Sequence, residues 1–143
     1  MDAAGAAGLT SAASLRAAGL RATRPRLSVL AALDRLGGHR SADDVAGTIA
    51  GAGGRLARMS VYNALDALAR AGLVMRADAG PGRTLYEVAE HWHHHLVCRR
   101  CGAVIDVECV VGAKPCLTAD LPGAVIDEAQ VIFRGLCPTC AAV

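Results

Sequence analysis

Residues 59–74 read MSVYNALDALARAGLV, and this stretch decides the fold. Within it, residues 60–71 predict a helix whose apolar side chains fall within about 60° of one another at a rotation of 100° per residue. These side chains are Val61, Leu65 and Leu68. Residues 73–77 and 84–88 then flank a Pro-Gly turn, which is typical of a β-hairpin. The order predicts the recognition helix and wing of a winged helix-turn-helix domain.

Two further helices are predicted upstream of this stretch. The first begins at Thr23, which is a good N-cap with proline in the following turn, and it ends at the glycine pair 37–38. The second begins at Ser41, with two aspartates in its first turn, and it ends at the glycine-rich residues 51–54. A short helix around residues 12–18 precedes both. Three core helices followed by a hairpin are the element order of a winged helix.

Composition limits the class of protein. A chain of 143 residues with 53% hydrophobic and 20% charged residues can bury a core in one or two small domains, which argues against a wholly disordered chain. An aromatic content of 3% argues against a large aromatic ligand pocket. No apolar run has the length of a membrane helix, and no secretory signal is evident, so we expect a soluble cytoplasmic protein. In that reducing compartment, six cysteines favour metal binding or redox chemistry over disulfides.

The pattern changes near residue 89, which predicts two domains. Residues 1–89 form the winged-helix domain, with residues 1–10 as a mobile tail. Residues 90–143 form the second domain, in which a short helix or a loop is expected at 114–122. Its β-like segments are residues 95–98, 103–107 and 129–133. Residues 1–90 carry 11 basic and 8 acidic side chains, whereas the remainder carries 4 and 5, so the first domain is the better candidate for an anionic partner.

The pattern with the most specific chemistry is a pair of CxxC motifs. Cys98 and Cys101 form one, and Cys137 and Cys140 form the other, with 35 residues between them. Two thiolates on one tight turn reach the same ion, and two such turns complete the tetrahedron that Zn²⁺ prefers. The alternatives are a dithiol redox motif and chemically inert buried cysteines.

A histidine cluster, HWHHH, occupies residues 91–95 immediately before the first CxxC motif. In a strand, His93 and His95 project to one face and His94 to the other. Glu87 and Asp106 would add oxygen ligands, which gives a mixed site suited to Fe²⁺, Mn²⁺ or Zn²⁺. The alternative interpretation is a solvated polar edge strand.

The polar face of the third helix carries Tyr62, Asn63 and Arg70, and Arg55 and Arg58 precede it. These side chains would suit a recognition helix, in which arginines bind phosphates and Tyr62 and Asn63 reach base edges. Every amphipathic helix has a polar side, however, so periodicity alone slightly favours an ordinary solvated face.

Three residues remain without an assignment from the pattern alone. Cys109 and Cys116 are either a second, oxidation-sensitive thiol pair or small packing residues. His39 follows a glycine pair and on its own reads as a surface residue.

Taken together, these residues resemble the ferric uptake regulator family of metal-dependent bacterial repressors, from about residue 20 to residue 140. Four stretches carry the resemblance: GLRATRPR, MSVYNALDALARAGLV, HHHLVCRRCG and the closing CPTC. The segments DVECVVGAKPCLTA and DEAQVIFRGLCPTC are further similar to a branch of the family that is encoded beside catalase-peroxidase genes and regulates the response to peroxide and iron.

The resemblance implies an α+β protein that is not an enzyme, with an N-terminal winged helix-turn-helix DNA-binding domain and a C-terminal α/β dimerisation domain. The homodimer would bind AT-rich palindromic operators in double-stranded DNA when a regulatory divalent metal is present. The structural Zn²⁺ ligands would be Cys98, Cys101, Cys137 and Cys140. The regulatory Fe²⁺ or Mn²⁺ ligands would be His39, Glu87, His93, His95 and Asp106. The candidate DNA-binding residues are Arg21, Arg24, Arg58, Ser60, Tyr62 and Asn63.

Within the family, the ligand set does not decide whether the regulator senses peroxide or iron. Asp106 matches the aspartate of peroxide sensors, in which bound Fe²⁺ reacts with peroxide and a ligand histidine is oxidised, whereas Glu87 resembles iron sensors. His94 could belong to a third metal site, although Leu136 stands where another histidine ligand is often found. Asn63 stands where the family commonly has an arginine after the recognition-helix tyrosine, so the operator preference is not implied by the resemblance. The remaining alternatives are a regulator for zinc, manganese or nickel, a small zinc-dependent redox protein, and a metalloenzyme, for which the chain offers little to build a substrate cleft.

Overall fold

The computed structural model describes residues 12–143, so the mobile tail expected at residues 1–10 lies outside the described part of the chain. The chain divides into two compact units, one ending at Glu90 and one beginning at His91. The helices are α1 (Ala12–Ala17), α2 (Arg24–Leu36), α3 (Ala42–Gly51), α4 (Arg58–Arg70) and α5 (Pro138–Ala141). The strands are β1 (Val74–Asp78), β2 (Thr84–Val88), β3 (His93–Cys98), β4 (Val104–Glu108) and β5 (Ile132–Gly135). None of the helices in residues 12–143 has the length and hydropathy needed to cross a membrane.

The first two core helices begin where their capping residues predict. The Thr23 side chain accepts a hydrogen bond from the Arg26 N–H, which satisfies one of the free donors at the start of α2. Ser41 and Asp44 form a reciprocal capping box at the start of α3. The predicted positions of both N-caps are confirmed.

The core of the first unit is aliphatic. The helices α2, α3 and α4 contribute its fully buried side chains, among them Val29, Leu30, Val45, Leu65 and Leu68. The helix α4 begins at Arg58, two residues before the predicted start, because Arg58 and Met59 continue the helical backbone from the extended Ala57. Gly72 has a φ of 77°, so it provides the left-handed turn that leads into β1.

The wing is an antiparallel pair of strands, β1 and β2, in which Val74 lies opposite Val88. The strand β1 begins one residue after the predicted start. A short β-bridge between Arg40 and Tyr86 attaches the connection between α2 and α3 to the outer side of β2. The helices and this hairpin confirm the predicted winged-helix order.

The second unit is a three-stranded sheet in the order β4-β3-β5, with β4 antiparallel and β5 parallel to the central strand. The strand β5 lies at Ile132–Gly135, later than the predicted residues 129–133, since its position is fixed by pairing with β3 rather than by local pattern. Residues 114–122 form a loop, and a single helical turn, α5, follows β5. With the winged helix, this sheet confirms the α+β fold class.

Candidate metal centres and nucleic-acid interface

The four cysteines of the CxxC motifs converge at one end of the sheet in the second unit. Cys98 is the last residue of β3 and is paired with Gly135 of the parallel strand β5. Parallel strands end at the same edge, so Cys137, two residues beyond Gly135, reaches the turn that carries Cys101. All four sulfur atoms lie within 4.8 Å of one another.

Hydrogen bonds around these sulfurs favour negative charge. Backbone N–H groups of Cys101 and Cys137 lower the pKa of Cys98 to about 5. In contrast, hydrogen bonding to Cys137 and burial raise the pKa of Cys140 to about 12, because its proton is shared with the neighbouring sulfurs. The Sγ atoms of Cys101 and Cys137 are 3.8 Å apart. Four converging soft donors, one of them a ready thiolate, have the chemistry of a tetrahedral Zn²⁺ site.

A second group of candidate metal ligands lies on one face of the same sheet. His95 is directly opposite Asp106 in the β3–β4 register. The Asp106 Oδ1 atom is 3.2 Å from the Nε2 atom of His93 and 3.7 Å from that of His95. The Nδ1 atom of His93 lies 2.9 Å from the carbonyl oxygen of His91 and donates to it, so in the neutral ring Nε2 is the nitrogen available to a metal ion. Ligand histidines of metal proteins are oriented in this way.

The first unit carries two candidate metal ligands, His39 and Glu87. The His39 Nε2 atom is 3.2 Å from Glu87 Oε2, and both side chains are largely buried. Arg40 holds the connection that carries His39: its Nε atom donates to Gly37 O at 2.9 Å and its Nη2 atom to Leu36 O at 3.1 Å. Sequence reasoning missed Arg40, because its role depends on carbonyl groups exposed by the end of α2.

His94 projects to the opposite face of β3 from His93 and His95 and meets a different set of groups. Its Nε2 atom lies 3.3 Å from Cys116 Sγ, and its Nδ1 atom accepts a hydrogen bond from the Val131 N–H. Together with Cys109, these side chains form a third cluster whose ligand atoms all lie within 4.8 Å. The two cysteines left open by the sequence are therefore neighbours.

The candidate DNA-binding residues of the first unit are accessible. Five of them are exposed and Ser60 is half-buried; the exposed ones are Arg21, Arg24, Arg58, Tyr62 and Asn63. The cap residue Ala57 makes no side-chain hydrogen bond to the start of α4, so backbone N–H groups there remain available to an anion. Arg70, on the polar face of the same helix, pairs through its guanidinium with Asp66 at 3.0 Å.

Arg58 has a partner within the protein. Its Nη2 atom is 2.5 Å from Asp43 Oδ1 of α3, and both side chains are about two-thirds exposed. A hydrogen bond with Tyr62 and the charge of Asp43 raise the pKa of Arg58. Exposed ion pairs of this kind contribute little to stability, so phosphate could replace Asp43 at small cost.

A winged helix joined to a sheet with clustered cysteine, histidine and carboxylate ligands defines a class, the metal-dependent transcription regulators that bind DNA. Within that class, the chain belongs to the ferric uptake regulator family, whose sequence profile matches residues 17–111. The resemblance predicted from the motifs is thereby confirmed.

Individual relatives agree with this assignment. The chain is 44% identical to the transcriptional regulator FurA of Mycobacterium tuberculosis over 91% of its own length and 89% of that protein. It is 37% identical to the zinc uptake regulation protein of the same species, over 65% of this chain and 72% of that protein. The structure of the ferric uptake regulator from Pseudomonas aeruginosa with manganese superposes with a TM-score of 0.69 at 28% identity, covering 88% of this chain and 96% of that one.

Proposed function

We propose that this regulator is a homodimeric cytoplasmic repressor that senses peroxide, iron or both and controls a catalase-peroxidase or another oxidative-stress gene. The observation that carries the proposal is the convergence of His93, His95 and Asp106, in which the Nε2 atom of His93 lies 3.2 Å from the Asp106 carboxylate and its Nδ1 atom is bound to the His91 carbonyl oxygen. Similarity to the mycobacterial FurA protein over nearly the whole chain supports the same function. The target would be an AT-rich palindromic operator in double-stranded DNA.

Cys98, Cys101, Cys137 and Cys140 would hold a structural Zn²⁺ ion. Their mutual distances and the low pKa of Cys98 suit that ion. When bound, Zn²⁺ would supply a cross-link between the ends of β3 and β5.

His39 and Glu87 of the first unit would share a regulatory Fe²⁺ or Mn²⁺ ion with His93, His95 and Asp106 of the second unit. Two carboxylates and three imidazoles form the mixed oxygen and nitrogen donor set that these ions accept. Ligands drawn from both units would fix one orientation of the recognition helix relative to the dimer axis. Only one spacing of the two recognition helices matches half-sites on one face of the duplex. Metal and DNA affinity would then be coupled reciprocally.

On DNA, some polar side chains of the first unit would contact phosphates and others would contact bases. Arg21, Arg24 and Arg58, with Ser60 near the start of α4, would bind phosphates and set the register. Tyr62 and Asn63 would reach base edges in the major groove. This division follows from guanidinium groups favouring phosphate and from the position of Tyr62 and Asn63 within the first turns of the helix.

The peroxide signal would act on the regulatory ligands. Bound Fe²⁺ would supply the electron that cleaves peroxide and leads to oxidation of a ligand histidine. An oxidised imidazole is a poorer donor, so His39 and the second unit would separate and DNA would be released. A regulator of zinc, manganese or nickel is the alternative, and the similarity to a zinc uptake regulation protein favours zinc among these.

Operator binding measured with each metal tests the proposal. The zinc-loaded dimer should bind operator DNA only after addition of Mn²⁺ or, without oxygen, Fe²⁺, and peroxide should release DNA from the Fe²⁺ form alone. A genomic binding map with and without peroxide would identify the operator. Activation by a second equivalent of Zn²⁺ alone, with no response to peroxide, would instead support the zinc regulator.

A further inference from the structure

The cluster on the far face of β3 takes no part in the proposed zinc or regulatory sites. We propose that Cys109 and Cys116 are a redox-active thiol pair, which hydrogen peroxide oxidises to an intramolecular disulfide with Cys109 as the first nucleophile. This inference goes beyond the proposed function, because the disulfide needs neither the regulatory metal nor DNA.

The geometry allows the bond to form. The two sulfur atoms lie within 4.8 Å of each other. Both side chains are half-buried, so a small oxidant such as hydrogen peroxide can reach the two sulfur atoms. A disulfide has a sulfur–sulfur distance of about 2.05 Å, and rotation about the Cα–Cβ bonds can close a gap of this size.

Cys109 has the features of an attacking thiolate. The N–H of Gly112 donates to its sulfur at 3.4 Å, and this bond lowers the pKa of Cys109. Gly112 can make the bond because its φ of 74° turns the backbone towards Cys109, a conformation that other residues rarely adopt. Redox-sensing cysteines combine such a stabilised thiolate with a neighbouring second thiol.

Cys116 has the features of the second thiol. Its S–H donates to the carbonyl oxygen of Ala129 at 3.4 Å, whereas the Cys109 sulfur accepts the N–H of Gly112. The Cys116 sulfur also lies 3.3 Å from the Nε2 atom of His94. Cys116 is therefore positioned to react after Cys109 rather than before it.

The orientation of His94 argues against a metal ion at this cluster. A histidine bound to metal through one ring nitrogen almost always donates a hydrogen bond through the other. In His94 the other nitrogen, Nδ1, accepts from the Val131 N–H at 3.1 Å. In the neutral ring the proton is then on Nε2, where it points to Cys116 Sγ and blocks metal binding.

The reaction balances with hydrogen peroxide as the only oxidant. The Cys109 thiolate attacks one peroxide oxygen, the oxygen–oxygen bond breaks, and Cys109 becomes a sulfenic acid while hydroxide leaves and takes up a proton. Cys116 then attacks the Cys109 sulfur, the sulfur–oxygen bond breaks, and a second water forms with the Cys116 proton. Two thiols and one peroxide give one disulfide and two waters.

Trp92 lies close to the segment that joins Cys109 and Cys116, and its fluorescence can report on the oxidation of the pair. Lys114, between the two cysteines, places its Nζ atom 4.2 Å from the ring centre of Trp92, the single tryptophan, and 3.2 Å from Glu128 Oε2. Closing the disulfide constrains the segment from Cys109 to Cys116, which includes Lys114. Trp92 fluorescence should therefore change with oxidation.

The test uses the full chain in its reduced, zinc-loaded form, without added regulatory metal. After treatment with dilute hydrogen peroxide and blocking of free thiols, cleavage before Asp106 and Asp120 releases both cysteines in one peptide. We expect this peptide to lose two hydrogens, zinc to be retained, and a thiol reductant to reverse both the mass change and the fluorescence change.

Two single variants assign the roles. In Cys116→Ser, a sulfenic acid at Cys109 should accumulate and be trapped by dimedone. In the matched variant Cys109→Ser, trapping at Cys116 should be at least about tenfold slower, because the attacking thiolate is gone. Oxidation confined to the four zinc cysteines with zinc release, unmodified Cys109 and Cys116, or a second Zn²⁺ ion that protects these two thiols would each overturn the proposal.

Discussion

Arg40 and Tyr86 exchange two backbone hydrogen bonds, 2.8 and 2.7 Å long. Their neighbours in sequence, His39 and Glu87, are thereby brought into contact at 3.2 Å. Since the bonds involve only main-chain atoms, the position of this ligand pair depends on backbone geometry at the end of α2 more than on either ligand side chain. The first unit thus holds the two candidate metal ligands, His39 and Glu87, already in contact beside the outer strand of its wing.

Replacing Arg40 with alanine should weaken the regulatory site without touching a ligand. The guanidinium no longer holds Leu36 and Gly37, so the connection that carries His39 becomes looser. We expect Mn²⁺ affinity to fall by about tenfold, as is typical for groups that orient ligands. Isothermal titration of the zinc-loaded protein measures this. Arg35→Ala, which removes an exposed arginine from the same helix end, should leave the affinity unchanged.

Replacing His39 with alanine should abolish metal-activated operator binding. The zinc content and the dimer should persist, because no cysteine changes. Electrophoretic mobility shifts with and without Mn²⁺, together with sedimentation, measure both properties. His91→Ala is the matched control, since the His91 ring is exposed and pairs with Glu108, and the backbone carbonyl that accepts from His93 is retained in this variant. Full activation of His39→Ala by Mn²⁺ would remove His39 from the regulatory site.

Replacing Cys140 with serine, or removing zinc with a strong chelator, should unfold the second unit and dissociate the dimer. In a site of this kind the metal-binding energy is part of the folding energy. Circular dichroism, zinc analysis and sedimentation follow the loss. Cys109→Ser, a cysteine change outside the cluster, should retain zinc and the dimer. A folded zinc-free dimer would contradict the structural role.

Replacing Asp43 with asparagine should strengthen binding to operator and random DNA alike. The change frees Arg58 from its ion pair and removes a negative charge near the phosphates. Arg58→Ala should weaken both complexes similarly and reduce the salt slope by about one counterion. Fluorescence anisotropy across a salt series measures both effects. Unchanged affinity and salt slope in Arg58→Ala would exclude a phosphate contact.

Replacing Asn63 with alanine, or Tyr62 with phenylalanine, should reduce discrimination between operator and random DNA. Each good base contact contributes about 1–3 kcal/mol of discrimination. Both side chains are exposed on α4, so stability should change little, which thermal unfolding can verify. Equal losses on the two DNAs would assign these residues to the backbone rather than to the bases.

Local signals in the sequence predict most of the first unit. Thr23 and Ser41 are caps whose hydrogen bonds reach only three residues along the chain, so the starts of α2 and α3 can be predicted from sequence alone. Spacing likewise predicts that His93 and His95 share a face. The start of β5 and the role of Arg40 depend on partners far away in sequence. No local sequence pattern indicates these distant partners, so the start of β5 was predicted too early and the role of Arg40 was not predicted.

The parallel pairing of Cys98 with Gly135 also affects how the second unit folds. Such pairing joins strands that are distant in sequence, so the chain must lose loop entropy before the contacts stabilise it. Until then, each CxxC turn is a local structure that can hold metal with only half of its ligands. A cross-link over such a loop restricts the unfolded chain by roughly 3–5 kcal/mol. A zinc ion at this site would therefore affect the folding rate as well as stability: we expect one turn to bind the ion first, the other turn to join it, and the sheet to close last.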